Sequence, residues 1–560
     1  MTLVFEQMQV ARPTADEVAA DYRKLESDWN AAATVDARAD VVRRWDDMRR
    51  RHETWEALVH LRFQQNTRDD AARTEREYCD ELRPKLADPG VKFKRMLLAS
   101  PHRGELVATF GQHLLDLWAA DVLTFEPAIE QDMVDEARLE AEYTELLASA
   151  SVEFQGAKLN LSGITRYREH ADRAVRHAAE QVRWGWFAAN REQLDRIFGD
   201  LVRLRTSMAR KLGFENFIGL AYKRLKRVDY SQADVERFRA EVREHVVPLA
   251  KQLRERQRTE LGVEGLKFWD EAVHDLRGNP APQGDHDWMI QRAVEMFDSM
   301  GGGLGEFFRL MIDAHLMDLK NREGKAGGGF CTSFPIFGVP YIFANFNGTK
   351  GDVEVFTHEI GHAFQAYLSR NQPMVEYLWP TYESCEIHSM SLEFLTWPHM
   401  DKFFGADAER FRRIHLGQAL TFIPYGVAVD HFQHLVYAEP DATPERRHAM
   451  WQEVERMYLP WRDYGDLPHV VDGGMWQFQR HIYLSPFYYI DYTLAQACAL
   501  QFWVRSERDF GRAMNDYVAL CRRGGEAPFQ DLAKSAGLIS PFASGCLRDV
   551  VEQARGSLTS

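Results

Sequence analysis

The segment His358-Glu359-Ile360-Gly361-His362 constrains this chain more than any other, because its spacing makes chemical sense only on a helix. Residues four apart lie one above the other there, so two imidazoles can bind one zinc from the same face. Glu359, beside the first of them, then reaches a water on that metal. With 20 histidines in 560 residues, chance supplies such a pattern only about 0.05 times, and the flanking residues add weight. Gly327-Gly328-Gly329 leads into Phe330 to Phe346, a run rich in Phe, Ile, Val and Tyr. Within it Val339 to Phe346 reads as a strand, and Pro340, which has no N–H to donate, pushes it toward a sheet edge. A turn at Asn347 to Gly351 feeds the helix, which is expected to start at Asp352 as N-cap and run to about Ser369, before Pro373. Val355, Phe356, Ala363, Phe364 and Tyr367 give it the apolar residues of a buried helix.

Two histidines need a third protein ligand, and a catalytic site leaves the fourth position for water. The next helical segment, from Thr381 to Glu393, offers Glu383, Glu386, His388 and Glu393. Spacing alone leaves the choice open: the three glutamates share one helix face, whereas His388 points elsewhere. Farther on, His481 is followed by Tyr488, Tyr489 and Tyr492. Hydrolysis at a metal creates an oxyanion, which a neutral Tyr O–H or a His N–H can stabilise.

Around this core the chain reads as helix after helix. Ala15 to Leu25, Ala37 to Gln64 and Asp70 to Leu82 carry apolar residues at three- and four-residue spacing among charges of both signs. The run Arg43 to Arg51 is interrupted by Asp46 and Asp47 and is expected to be a solvated, self-paired helix face. Alternation around Gly156, from Val152 to Leu161, is a hairpin signal and a candidate boundary. Helical patterns return over Arg166 to Lys211 and Ser231 to Leu261. The balance of 69 basic against 84 acidic residues argues against binding nucleic acid or an anionic membrane surface, and no run approaches the ~20 apolar residues of a membrane span. The N-terminus shows no secretory-signal pattern, and the six scattered cysteines form no Cys-x-x-Cys pair. Free thiols in a reducing cytoplasm are the expectation, with histidine and carboxylate rather than thiolate on the metal.

The motif His358-Glu359-x-x-His362-Ala363-Phe364, followed by Glu386-x-x-Ser389-Met390-x-x-Glu393, resembles the M3 family of zinc metallopeptidases. Asn345 to Gly348, Gly351-Asp352-Val353 and Pro486-Phe487-Tyr488-Tyr489-x-x-Tyr492 extend the resemblance, as do Leu159 to Asp172 and Ala209 to Phe214. It covers most of the chain from about 150 onward and is similar to the oligoendopeptidase F and Pz-peptidase branch. The resemblance implies a mostly α-helical ellipsoid with a deep substrate channel and a small β-sheet beside the HExxH helix. Residues 1–150 would be a helical region forming part of the channel wall, and 151–560 the catalytic domain. It implies one Zn2+ per chain on His358, His362 and Glu386, with Glu393 supporting the ligands and Glu359 as general base. Glu354, one turn before His358, is a candidate to orient an imidazole; an exposed helix-start carboxylate is the alternative. By the same resemblance His481, Tyr492 and either Tyr488 or Tyr489 stabilise the oxyanion. One departure is that Ile482 to Phe487 contains no glycine where thimet-type members have a glycine-rich loop. Substrate would pair with the edge of the strand through Tyr341, Ile342, Phe343, Ala344 and Asn345. The function implied is a zinc oligoendopeptidase acting on internal bonds of short peptides. A zinc carboxypeptidase trimming C-termini and a non-catalytic peptide-binding relative are the alternatives.

Overall fold

The computed structural model describes residues 3–559 apart from Glu323. The charged N-terminal pattern folds as a succession of helices, among them α1 (Ala15–Ala31), α2 (Val35–Gln65), α3 (Asp70–Ala99) and α4 (Gln112–Leu123). Their starts follow from capping chemistry: Thr14 and Glu17 form a capping box, and the Asp69 carboxylate accepts N–H groups of Ala71 and Ala72. Inside, Trp45 meets Phe93 and Trp118 edge-on, with ring centroids 5.1 and 5.3 Å apart. That core also buries Met374 and Tyr377, so the N-terminal helices are docked on the later part of the chain by shared apolar packing.

The charged run in α2 departs from expectation. Arg44 pairs with Asp28 and Asp40 near the surface, but Asp46 is buried between Arg49 and Arg50. Arg49 stacks on Trp45 and reaches across to Glu376. Half of the run therefore faces inward and ties the two regions together, because its carboxylates come from both.

The expected hairpin is present: β1 (Val152–Phe154) pairs antiparallel with β2 (Ala157–Leu159), turning through Gln155 and Gly156 at φ +49° and +76°. A second, three-stranded sheet comprises β3 (Met317–Lys320), β4 (Phe330–Phe334) and β5 (Val339–Phe346), in the order β3-β5-β4. Here the edge expectation fails. β5 is the middle strand, parallel to β3 and antiparallel to β4. Pro340 is tolerated because β3 pairing begins only at Ile342, leaving the proline at the strand's start. Tyr341, Ile342, Phe343 and Ala344 are consequently buried, and Asn345 donates its amide to the carbonyls of Ala326 and Gly328. The strand given to substrate is thus a core strand; the edges of the sheet are β3 and β4.

Four helices complete the frame: α5 (Lys350–Leu368), α6 (Tyr382–Leu395), α7 (Ala408–Ala438) and α8 (Tyr489–Arg508). The N-cap of helix α5 is Thr349 rather than Asp352. Asp352 lies inside the first turn and instead accepts N–H groups of Asn347 and Gly348, closing the turn that leaves β5. Among the described residues no helix is long and apolar enough to cross a membrane.

Candidate active site

Helix α5 presents His358 and His362 on one face, and α6 brings Glu386 opposite them. The two helices approach so closely at Gly361 that a Cβ there would stand 2.6 Å from the His388 carbonyl oxygen and 2.6 Å from Ser389 Cα. The fourth motif residue is therefore glycine for packing. At this contact Glu386 Oε2 lies 3.3 Å from His358 Nε2 and 3.4 Å from His362 Nε2. Two ligand atoms each about 2.0–2.1 Å from a tetrahedral ion stand about 3.3–3.4 Å apart, so each nitrogen stands from the oxygen at the distance that one shared ion requires. The three donors group together as a metal-holding set, and they line a cleft of about 770 Å³ that leaves one side open.

The remaining atoms of these ligands are held in place. His358 Nδ1 lies 2.7 Å from Glu393 Oε1, and the other Glu393 oxygen lies 2.7 Å from His415 Nε2. Trp397 Nε1, which can only donate, points at His415 Nδ1 at 3.2 Å. His415 therefore carries its proton on Nε2 and gives it to Glu393. Burial works against charge on Glu393, but hydrogen bonds from the two histidines hold its carboxyl down at about 2. An ionised Glu393 in turn keeps the His358 proton on Nδ1 and turns the Nε2 lone pair toward the metal position. Glu386 Oε1 accepts from the Tyr488 hydroxyl at 2.9 Å, and Oε2 accepts from Ser389 Oγ at 2.9 Å.

Glu359 faces the same cleft from the next position on α5. Its Oε2 is buried without a hydrogen-bond partner. Burial raises its carboxyl above the ordinary range, while His358 and His362 pull it back. A Cβ at Gly329, just before β4, would sit 3.7 Å from Glu359 Oε1. The β4 residues Phe330, Cys331, Thr332 and Ser333 line the cleft on that side.

Tyr488 and Tyr492 line the cleft with the metal set, whereas Tyr489 packs away from it against Phe422 and Tyr425. His481 sits among all three rings, with centroids 5.0–5.8 Å away. Gln479 accepts from the Tyr425 hydroxyl through Oε1 and donates from Nε2 to His481 Nδ1 at 2.7 Å. That leaves the His481 proton on Nε2. Burial lowers its pKa to about 4, so the ring is neutral near pH 7. The glycine-free turn before α8 is built on Phe487, a bulky residue at φ +67°. Gln433 accepts its N–H, and Arg227 bonds both its carbonyl and Asp491.

Other candidates lie elsewhere. Glu354 is bound by Lys350 at 2.8 Å, not by an imidazole, because the lysine one turn earlier shares its face. Glu383 is buried beside Thr381, and His388 is fully buried on the far side of α6. His415 and Trp397 were not legible as site residues: neither falls in a motif, and both become relevant only through the packing of α7. One cleft wall comes from the N-terminal helices, through Arg49, Glu53, Lys94, His113 and Asp121.

Residues 166–552 match the family model described as peptidase family M3, and residues 5–125 match that of the peptidase M3 N-terminal domain. Among solved structures, Pz peptidase A with an inhibitor is 43% identical over 99% of both chains, with a TM-score of 0.95. A structure described as oligoendopeptidase F is 45% identical over 100% of this chain and 99% of its own, with the same TM-score. Another so described, from Bacillus anthracis, is 40% identical over 100% and 98%, with a TM-score of 0.90. No curated protein sequence matches the chain.

Proposed function

The chain belongs to peptidase family M3 and is a peptidase with a catalytic metal; on that premise we propose that it is a zinc-dependent oligoendopeptidase cleaving internal bonds of short peptides. The observation that carries this reading is the His358, His362 and Glu386 set, with Glu386 Oε2 3.3–3.4 Å from both imidazoles, and Glu359, whose buried Oε2 has no hydrogen-bond partner, beside it on the same cleft. Two imidazoles, one carboxylate and an open fourth side are the donor set of a catalytic zinc. When bound, zinc supplies Lewis acidity, polarising a carbonyl and lowering the pKa of a bound water toward ~7.

The chain's own residues do the rest. Glu359 takes the proton of the attacking water and delivers it to the leaving amine. Tyr492 and the Nε2–H of His481 donate to the developing oxyanion, and Tyr488, already bonded to Glu386, stands beside Tyr492 to join them. The edge of β4 is the element suited to pair with an extended peptide, because β5 has both edges occupied and β4, unlike the other edge strand β3, lines the cleft. That gives recognition of backbone rather than of side chains, and suits short unfolded substrates.

Product analysis on an internally quenched peptide tests the reading. Two internal fragments are expected, with loss of cleavage on chelation and recovery with zinc. Stepwise release of single C-terminal residues would identify a carboxypeptidase instead, and no chelation-sensitive cleavage would leave only a peptide-binding relative.

A further inference from the structure

A second group of metal-binding side chains stands outside the cleft, on the N-terminal helices. Glu56 and His60, four apart on α2, face Cys79 on α3. His60 Nε2 lies 3.8 Å from Glu56 Oε1, 3.9 Å from Cys79 Sγ and 3.9 Å from Asp80 Oδ1. The two carboxylate distances are well beyond the ~2.7–3.2 Å of an N–H···O hydrogen bond. They approach the spacing of ligands across a shared ion: about 3.3–3.4 Å for nitrogen and oxygen, and about 3.5 Å for nitrogen and sulfur. The difference of about half an ångström is within the reach of side-chain torsions on the partly exposed Glu56 and His60. The sulfur lies at the apolar base of the group, packed with Trp55, Val59 and Leu82, while imidazole and carboxylate stand at the open rim. Such a group has an entry path for an ion and a protected soft donor.

We propose that Glu56, His60 and Cys79 form a second metal site, taking a thiophilic divalent cation of the zinc class, with Asp80 beside it. Arg76 pairs with Asp80 and Arg83 approaches Glu56, so Asp80 is the weaker of the two carboxylates as a donor. Binding forms a metal–sulfur bond, breaks the Cys79 S–H bond and releases that proton to solvent. A sulfur, nitrogen and oxygen donor set selects zinc, cadmium or cobalt over magnesium or calcium. The ion clamps α2 to α3, the two helices that carry Arg49, Glu53 and Lys94 into the cleft wall. The site went unseen in the sequence because its ligands come from two helices, with Cys79 lying 19 positions after His60.

Cobalt provides the test, since thiolate ligation gives a near-ultraviolet sulfur-to-cobalt charge-transfer band that an imidazole and carboxylate site lacks. The full chain is loaded with Co2+ under a non-thiol reductant and desalted. Wild type is expected to retain two equivalents and show the band. Cys79→Ser and His60→Ala are each expected to retain one equivalent, lose the band and cleave peptide at the wild-type rate. His60→Ala, at a partly exposed position, keeps the test decisive if the buried Cys79→Ser change disturbs packing. A single equivalent in wild type overturns the proposal. So does a band that survives both substitutions, which would place Cys331 or Cys385 of the cleft on the metal.

Discussion

Replacing Glu393 by glutamine probes how the metal set is held, because it changes one oxygen to an amide and little else. The carboxylate accepts two hydrogen bonds, from His358 Nδ1 and His415 Nε2, each at 2.7 Å. The His415 proton cannot move to Nδ1, since Trp397 Nε1 already donates there. A glutamine keeps one acceptor and sets its NH2 against the other imidazole N–H. If the amide oxygen stays with His415, His358 must shift its proton to Nε2, and it then has no lone pair for the metal. If the oxygen stays with His358, the His415 N–H is left buried against a donor. The mismatch should push the pair to the first outcome, which costs about the 10- to 100-fold in metal affinity typical of such supporting partners, or about 1.4–2.7 kcal/mol; the second would cost fold stability instead. Competition against a chromogenic zinc chelator measures the affinity directly, and activity should return as zinc is raised. Unchanged affinity in Glu393→Gln would refute the tautomer argument.

Gly361→Ala should separate α5 from α6, since its methyl group would stand 2.6 Å from two backbone atoms of α6. Overpacking of this kind costs about 1–3 kcal/mol, and here it moves Glu386 away from the histidines; a wild-type melting temperature and metal affinity would contradict this. Acid should weaken the fold before most carboxylates titrate. Burial lowers the pKa of His113, His431 and His469 from 6.5 to about 4, and that of His274 to about 3. The unfolded chain then binds protons first, so this contribution is complete above about pH 6.5 and is lost as pH falls toward 4. Each ring accounts for at most about 1.4 kcal/mol per pH unit, less for the half-buried His274 and His431. The urea midpoint should be lower at pH 5 than at pH 7, and equal midpoints would count against these rings being buried neutral.

Much of the site was legible because helical spacing is a strong constraint. His358 and His362 needed one helix, and the family pattern singled out Glu386 and Glu393 from a set that spacing alone left open. What depended on packing across the chain was less legible. Pro340 argued for an edge, but nothing local to β5 says that β3, some twenty residues upstream, will cover its other side from Ile342 onward. Glu354 looked like a partner for an imidazole until Lys350 proved to share its face. Tyr488 and Tyr489 differ by about 100° around a helix start, a choice made by how Phe487 is held from Gln433 and Arg227. His415 lies 22 residues beyond Glu393 and had no signal at all.

The central claim is that Glu359 performs proton transfer at a metal held by His358, His362 and Glu386. Glu359→Gln tests it most directly when metal content and kcat/KM on an internally quenched peptide are measured on the same preparation. The account predicts wild-type metal content with kcat/KM reduced at least about 100-fold. Activity near wild type with the metal retained would contradict it.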